Sequence, residues 1–157
     1  MKTIIGIDPA NERSAFCVFD EKVIEFGLID NGAFFGHVLD AFIRHDVGMV
    51  YIEDIQSMGM AVGQSVFNTC KYIGRLQLLC EQSNVPYEMV KRTEIKLHHC
   101  GTNRAKDSNI RAALIERFGG KGTKANKGFF YGLAGSDIWS AAAISIYGSD
   151  KVNGYAT

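Results

Sequence analysis

Short apolar segments separated by polar turns recur along the first 90 residues, and they restrict the fold more than any other feature of the sequence. The first three are joined by short connections, which predicts an antiparallel meander. The fourth is apolar on both faces, which is typical of a central strand covered on both sides. We predict strands at residues 3–7, 14–19, 23–29, 47–55 and 85–90.

Apolar residues at spacings of three and four predict helices between and after these strands. Asn31 is available as the N-cap of the first helix, and Gly119 and Gly120 close the third. The predicted helices are residues 33–45, 59–81 and 109–118, and a last helix from about residue 136. The order β-β-β-α-β-α-β-α predicts an α/β fold in which helices flank a mixed five-stranded sheet. Because the 157 residues include no apparent linker, we expect a single domain over residues 1–157.

Composition excludes several other classes of protein. The 46% hydrophobic and 22% charged residues are typical of a folded chain. No segment approaches the roughly 18 consecutive apolar residues of a membrane span, and Asp8 comes too early for a signal peptide, so we expect a cytoplasmic protein without a membrane partner. The four cysteines show no disulfide or zinc spacing, and the cluster of His98, His99 and Cys100 lacks a fourth ligand.

Charge is distributed unevenly along a chain whose formal net charge is zero. Residues 1–58 are predominantly acidic, whereas residues 91–131 are predominantly basic, which favours a polyanionic partner. The basic part includes residues 121–128, where lysine recurs among small residues in a segment able to lie along phosphates. The aromatic residues 129–131 follow, and they are either stacking platforms for bases or core residues.

Three acidic residues stand where apolar patterning ends. Asp8 closes the first strand, Glu53 comes near the end of the fourth, and Asp137 begins the last helix. If the first and fourth strands are neighbours that end at one edge, Asp8 and Glu53 lie close together and a cation relieves their repulsion. Carboxylate oxygens favour Mg²⁺ or Mn²⁺, and two such ions can promote phosphodiester hydrolysis. Each acid also has an ordinary alternative as a turn residue, a solvated strand end or a helix cap.

Four segments, in this order, resemble the RuvC-type Holliday-junction resolvases of the ribonuclease H-like superfamily: residues 4–10, 51–54, 101–106 and 137–143. The resemblance covers roughly residues 2–147. It implies a ribonuclease H-like fold and a homodimeric Mg²⁺-dependent endonuclease that resolves Holliday junctions and other branched DNA in recombination and repair. It also implies two ions per site, with Mn²⁺ as a possible substitute, and products that keep a 5′-phosphate. Asp8, Glu53 and Asp137 correspond to metal-binding catalytic carboxylates, and Lys106 to a basic residue near the DNA.

Basic side chains are candidates for phosphate contacts, and together they predict salt-sensitive DNA binding. The candidates are Lys71, Arg75, Lys91, Arg92, Arg104, Lys106, Lys121, Lys124 and Lys127. The resemblance also implies that the helix at residues 59–81 supplies the dimer interface, although its apolar stripe is equally explained by packing on the sheet.

The sequence departs from the family pattern at several positions. The family typically ends in D-x-x-D, whereas this chain has Asp137-x-x-Ser140. Either Ser140 replaces the second acid as a weak fourth ligand, or Asp137 matches the second acid and Ala134 stands in the first place. Gln56 stands near an aromatic position of the bacterial branch, and these departures resemble the bacteriophage branch. Asp54 is a further candidate, although adjacent strand residues point to opposite faces, which argues against a site shared with Glu53.

Two other functions are alternatives to the nuclease. The first is a branched-DNA-binding protein of the same fold with weak or no catalysis, because Ser140 is a poor metal ligand. The second is an actin-like sugar kinase or ATPase, but Asn11, Glu12 and Arg13 replace the expected glycine- and threonine-rich phosphate turn. The preferred branched substrate, any cleavage consensus, the metal used in the cell and the need for a branch-migration motor stay open.

Overall fold

The computed structural model describes residues 1–120 and 122–155, which form five strands and five helices. The strands are β1 (Thr3–Asp8), β2 (Arg13–Asp20), β3 (Lys22–Asp30), β4 (Val47–Glu53) and β5 (Tyr87–Val90). The helices are α1 (Asn31–Arg44), α2 (Gln64–Gln82), α3 (Arg92–Cys100), α4 (Asp107–Arg117) and α5 (Ser136–Asn153). In chain order, α1 follows β3, α2 follows β4, and the last three helices follow β5.

The five strands form one mixed sheet in the order β3-β2-β1-β4-β5. The first three strands pair antiparallel, whereas β4 pairs parallel with both β1 and β5. The predicted α/β architecture is therefore confirmed. In the β1–β4 ladder Ile7 pairs with Ile52, so the residues that follow each of them, Asp8 and Glu53, leave the sheet at the same edge.

Helix α5 covers one face of the sheet, and its small residues allow it to approach β1 closely. Ala141, Ala142 and Ala143 are fully buried. A Cβ atom at Gly6 of β1 would clash with the backbone of Ala141 and Ser145. The close contact between helix and strand thus depends on glycine at this position. Helices α3 and α4 contribute buried residues to the same core.

Helices α1 and α2 cover the opposite face of the sheet. Phe34 and Val38 of α1, with Tyr72 and Leu76 of α2, are buried in the core on this side. This core includes the side chains of β1 and β4 that point away from α5, such as Ile5. Both faces of the central strands are therefore covered, as the unbroken apolar runs in the sequence predicted.

Several predicted element boundaries are wrong. Helix α2 begins at Gln64, because Gly59 has a positive φ of 73° and Gly63 is extended. Asn31 is the first residue of α1, and its side-chain amide donates to the backbone oxygens of Ala10 and Asn11 instead of capping the helix. Helix α3 was not predicted, since Ile95 is its only buried residue and the segment was interpreted as a basic surface.

The aromatic residues after the basic loop lie mainly in the core. Phe130 is fully buried against Trp139, so the interpretation of this ring as a platform for bases is wrong. Phe129 stacks on Phe118 with ring centroids 4.2 Å apart, whereas Tyr131 is partly exposed. No helix in the described part of the chain is long and apolar enough to cross a membrane.

Replacing Gly6 by alanine tests the close contact between α5 and β1. We expect Gly6→Ala to lower the free energy of unfolding by about 3 kcal/mol, because overpacking forces a backbone shift. Gly36→Ala is the matched control, since Gly36 lies in α1 with no atom within 4 Å of the added Cβ. Urea unfolding of both variants measures the difference, and equal losses would contradict the packing described.

Candidate functional site

Asp8 and Glu53 lie side by side at the carboxyl edge of the parallel pair β1–β4. Both side chains are largely buried, and that of Glu53 is 14% exposed. In its protonated form Asp8 donates a hydrogen bond to the Glu53 carboxylate. Two carboxyl groups in contact at a buried strand edge cannot both carry their charge without compensation, so a shared proton or a cation must stabilise them.

The pKa values of both carboxyl groups are raised, as expected for two buried acids in contact. Burial, followed by the charge of Glu53 and the hydrogen bond to it, raises the pKa of Asp8 from 3.8 to about 8, and the charge of Asp137 adds to the effect. Burial also raises the pKa of Glu53, against the opposing influence of Arg92. The pair therefore favours binding of a cation, which relieves the repulsion that otherwise retains a proton.

Arg92, the first residue of α3, is the nearest compensating charge among the described residues. Its Nε lies 3.8 Å from Glu53 Oε1. Its Nη1 donates to Ser140 Oγ at 2.6 Å, and its Nη2 donates to Asp107 Oδ1 at 2.5 Å. One guanidinium group thus connects the end of β4 with the first turns of α4 and α5.

The third predicted carboxylate, Asp137, lies in the exposed first turn of α5. Its charge acts on Asp8, but no three His, Cys, Asp or Glu side chains of the described residues are grouped closely enough to hold a metal ion. Asp8 and Glu53 are the two carboxyl groups in contact, and their oxygens are of the kind that a divalent cation prefers. Ser140, predicted as a weak fourth ligand, is 7% exposed and accepts the hydrogen bond from Arg92, whereas Ala134 lies exposed before the helix.

A cavity of about 340 Å³ opens beside the two carboxylates. Asp54, the residue after the end of β4, also lines it, and its part in the site stays a prediction. Gln56 also lines the cavity and accepts a hydrogen bond from Thr93 at 3.2 Å. Lys96, which was not among the predicted site residues, also lines the cavity. It lies one helical turn after Arg92, and this spacing places the two side chains on one face only if the segment is a helix, which the sequence did not predict.

The predicted DNA-contacting residues are divided between the two faces of the sheet. Lys71 and Arg75 are exposed on α2, with the Arg75 guanidinium 4.8 Å from the centre of the Phe35 ring. The remaining described candidates lie on the side of α3, α4 and the loop before α5, and all except Arg92 are exposed. These are Lys91, Arg92, Arg104, Lys106, Lys124 and Lys127. Lys121 lies outside the described residues.

Comparison with known proteins identifies the fold. No protein-family model and no curated protein sequence matches the chain. The structure is similar to Thermus thermophilus RuvC, with 14% identity, a TM-score of 0.73, and coverage of 91% of this chain and 90% of that one. For T. thermophilus RuvC in complex with Holliday junction substrate, the identity is 12%, the TM-score is 0.75 and 98% of each chain is covered.

A third similar structure is the yeast mitochondrial Holliday junction resolvase Ydc2. The identity is 12%, the TM-score is 0.55, and the match covers 92% of this chain and 76% of that one. The sheet order, the flanking helices and these three structures together define a ribonuclease H-like fold. The chain has, in particular, the RuvC-type form of that fold, as its four sequence segments predicted. Its likeness to the bacteriophage branch stays a prediction.

Removing the charge of Asp8 is expected to change the pH dependence of stability of the metal-free protein. Because the folded-state pKa of Asp8 is raised, the native chain loses stability as pH rises from about 4 to about 8. In Asp8→Asn the contribution of Asp8 to this loss is absent, and at about pH 8 we expect the variant to be more stable by about 2 kcal/mol.

Urea unfolding in chelator across this range measures the effect. Asp46→Asn is the control, since Asp46 is exposed before β4 at the opposite edge of the sheet. A stability difference between Asp8→Asn and the native chain that does not vary with pH would contradict the prediction.

Proposed function

We propose that the protein is a structure-selective, metal-dependent endonuclease that resolves Holliday junctions and other branched DNA. The observation that carries the proposal is the buried contact between Asp8 and Glu53 at the carboxyl edge of a RuvC-type sheet. Two similar structures support the substrate class, one being RuvC in complex with Holliday junction substrate and the other a Holliday junction resolvase. Exposed basic side chains just before α3, just before α4 and in the loop before α5 provide positive charge for a polyanion on the α5 side of the sheet.

The cofactor that this function requires is Mg²⁺, for which Mn²⁺ can substitute. Asp8 and Glu53 offer the hard oxygen ligands that either ion prefers, and Asp137 supplies further negative charge from α5. When bound, the metal supplies an activated water and stabilises negative charge on the phosphate. The resemblance implies two ions per site, and the two contacting carboxylates provide ligands for one.

The remaining roles fall to residues of the chain that contact the DNA. Lys106, exposed at the N-terminus of α4, stabilises negative charge on the phosphate undergoing cleavage. Lys124 and Lys127, in the loop before α5, bind the DNA backbone and make binding salt-dependent. We expect products with a 5′-phosphate and a cytoplasmic location, where recombining and repaired DNA is accessible.

A homodimer is the proposed assembly. A four-way junction has two-fold symmetry, so an isologous dimer presents equivalent sites to two strands. Exposed apolar side chains on and before α2 support this assembly, because packing on the sheet leaves them uncovered. They are Met60, Val62, Phe67 and Leu78.

The alternative is a branched-DNA-binding protein with weak or no catalysis. The observation in its favour is that no three acidic or other ligand side chains of the described chain come together as a metal cluster. Arg92 also holds the Ser140 hydroxyl, which leaves this side chain a poor metal ligand. The two functions differ in whether the native chain cleaves DNA when Mg²⁺ is added.

Cleavage of synthetic four-way, three-way and linear DNA tests the proposal. We expect symmetric nicking of branched substrates in Mg²⁺ or Mn²⁺ and none in chelator. Asp8→Asn should lose more than about 100-fold in cleavage rate while retaining junction binding, because it removes a metal ligand and leaves the basic surface unchanged. Asp46→Asn should cleave as the native chain does, and junction binding without metal-dependent cleavage by the native chain would favour the alternative.

Salt dependence tests the basic loop. Lys124→Ala and Lys127→Ala should each weaken junction binding and reduce the slope of log affinity against log salt concentration by about 1. Lys22→Ala is the control, because Lys22 is exposed in the β2–β3 hairpin beside the acidic Glu21. Fluorescence anisotropy at several salt concentrations gives the slopes. An unchanged slope in both loop variants would indicate that Lys124 and Lys127 do not contact the DNA.

A further inference from the structure

We propose that the Arg92 guanidinium supplies a fixed second positive charge at the Asp8–Glu53 pair, so that each protomer binds one divalent ion there instead of two. The use of this charge in phosphodiester cleavage rests on the proposed function. The number of ions does not, because it follows from the arrangement of charges around the pair and can be measured without DNA.

The first support is the position in which Arg92 is held. Its guanidinium donates to the side chains of Ser140 and Asp107, and lies 3.8 Å from Glu53. The contacts come from three different elements, and the Arg92 side chain is 22% exposed. An arginine carries its charge at every accessible pH, and its planar fork is held in place by the two hydrogen bonds. The charge at this position is therefore permanent and fixed.

The second support is the balance of charge at the pair. When both are ionised, Asp8 and Glu53 carry two negative charges, which one divalent ion neutralises. Other acids lie nearby: Asp107 is hydrogen-bonded to Arg92, Asp137 lies in the exposed first turn of α5, and Asp54 lines the cavity. Among the described residues, no third carboxylate is grouped with the pair closely enough to share a metal ion.

A second divalent ion at the pair would be repelled by the Arg92 guanidinium, whose Nε is 3.8 Å from Glu53, and by Lys96 on the lining of the same cavity. In a partly buried site, repulsion between such charges is only weakly screened. A second ion is disfavoured while Arg92 is present.

The third support is the ligand set that a second ion would need. Ser140 lies three residues after Asp137 on the first turns of α5, and in one register of D-x-x-D it takes the place of the second carboxylate. In the other register Ala134 takes the place of the first, so in both registers one carboxylate of the motif is missing. The Ser140 hydroxyl is neutral, and its oxygen accepts the hydrogen bond from Arg92 at 2.6 Å. The side chain at position 140 is therefore neutral and already hydrogen-bonded to the guanidinium, which makes it a poor ligand for a second ion.

Manganese binding to the full-length chain without DNA tests the proposal. Free Mn²⁺ measured by electron paramagnetic resonance, together with calorimetry, gives the number of ions and their affinity. We expect about one ion per protomer for the native chain. Arg92→Met should bind one ion about tenfold more tightly, because a like charge has been removed. Lys22→Met, which removes an exposed positive charge in the β2–β3 hairpin at the opposite edge of the sheet, should match the native chain.

A second carboxylate provides the sharper comparison. In Ser140→Asp the new carboxylate pairs with Arg92, so we expect the number of ions to stay at one. In the double variant Arg92→Met/Ser140→Asp the carboxylate is released, and two ions per protomer are expected. Arg92→Lys, which keeps the charge without the fork, should retain one ion at near-native affinity. If the methionine variants do not fold, Arg92→Gln removes the charge with a polar side chain and should show the same tighter binding.

Two ions per protomer at comparable affinity in the native chain would overturn the proposal, as would no bound ion or an unchanged affinity in folded Arg92→Met. These outcomes are separable from failure of the proposed function. A chain that binds one ion but does not cleave branched DNA would refute the nuclease and leave the inference intact. Cleavage with two ions bound would do the reverse.

Discussion

The contact between Asp8 and Glu53 is the constraint on which the rest of the site depends. Parallel pairing places Ile7 beside Ile52, and the next residue of each strand leaves the sheet at the same edge. Helices cover both faces of these strands, so neither acid can move away without breaking a packed core. The fold holds two carboxyl groups in contact, and their repulsion lowers the stability of the metal-free protein. A bound cation removes this repulsion.

The surrounding elements determine how the repulsion between the two carboxyl groups is compensated. Gly6 permits α5 to approach β1, and the approach brings Asp137 and Ser140 near the acidic edge. Helix α3 begins directly after β5 with Arg92, which reaches Glu53 and is held by residues of α4 and α5. The guanidinium and the carboxylate pair form one electrostatic unit assembled from several elements. This architecture resembles RuvC structures at 12–14% sequence identity, so the shared feature is the arrangement of the sheet and helices.

Much of the fold was predictable, because buried strands and helices have apolar residues at regular spacings in the sequence. The strands, their number and the mixed sheet agree with the structure, since a strand covered on both faces reads as an unbroken apolar run. Helix α3 escaped prediction because only Ile95 of its residues is buried, which leaves almost no periodic signal. Asp54 lines the cavity beside Glu53, a position that strand alternation does not predict for the residue that follows the end of a strand. Phe130 was ambiguous, since an aromatic residue beside a basic loop has the same local sequence whether it is buried or exposed.

By itself, the sequence determined the α/β class, the order of the strands along the chain, and the placement of Asp8 and Glu53 at strand ends, because each follows from local patterns of apolar and polar residues. Only the tertiary structure decided that these two acids touch, that Asp137 remains exposed, and that Arg92 binds Ser140, 48 residues further along the chain. The physical reason is that side-chain contacts and burial arise from the packing of distant segments, whereas spacing in a sequence reports only the element to which a residue belongs.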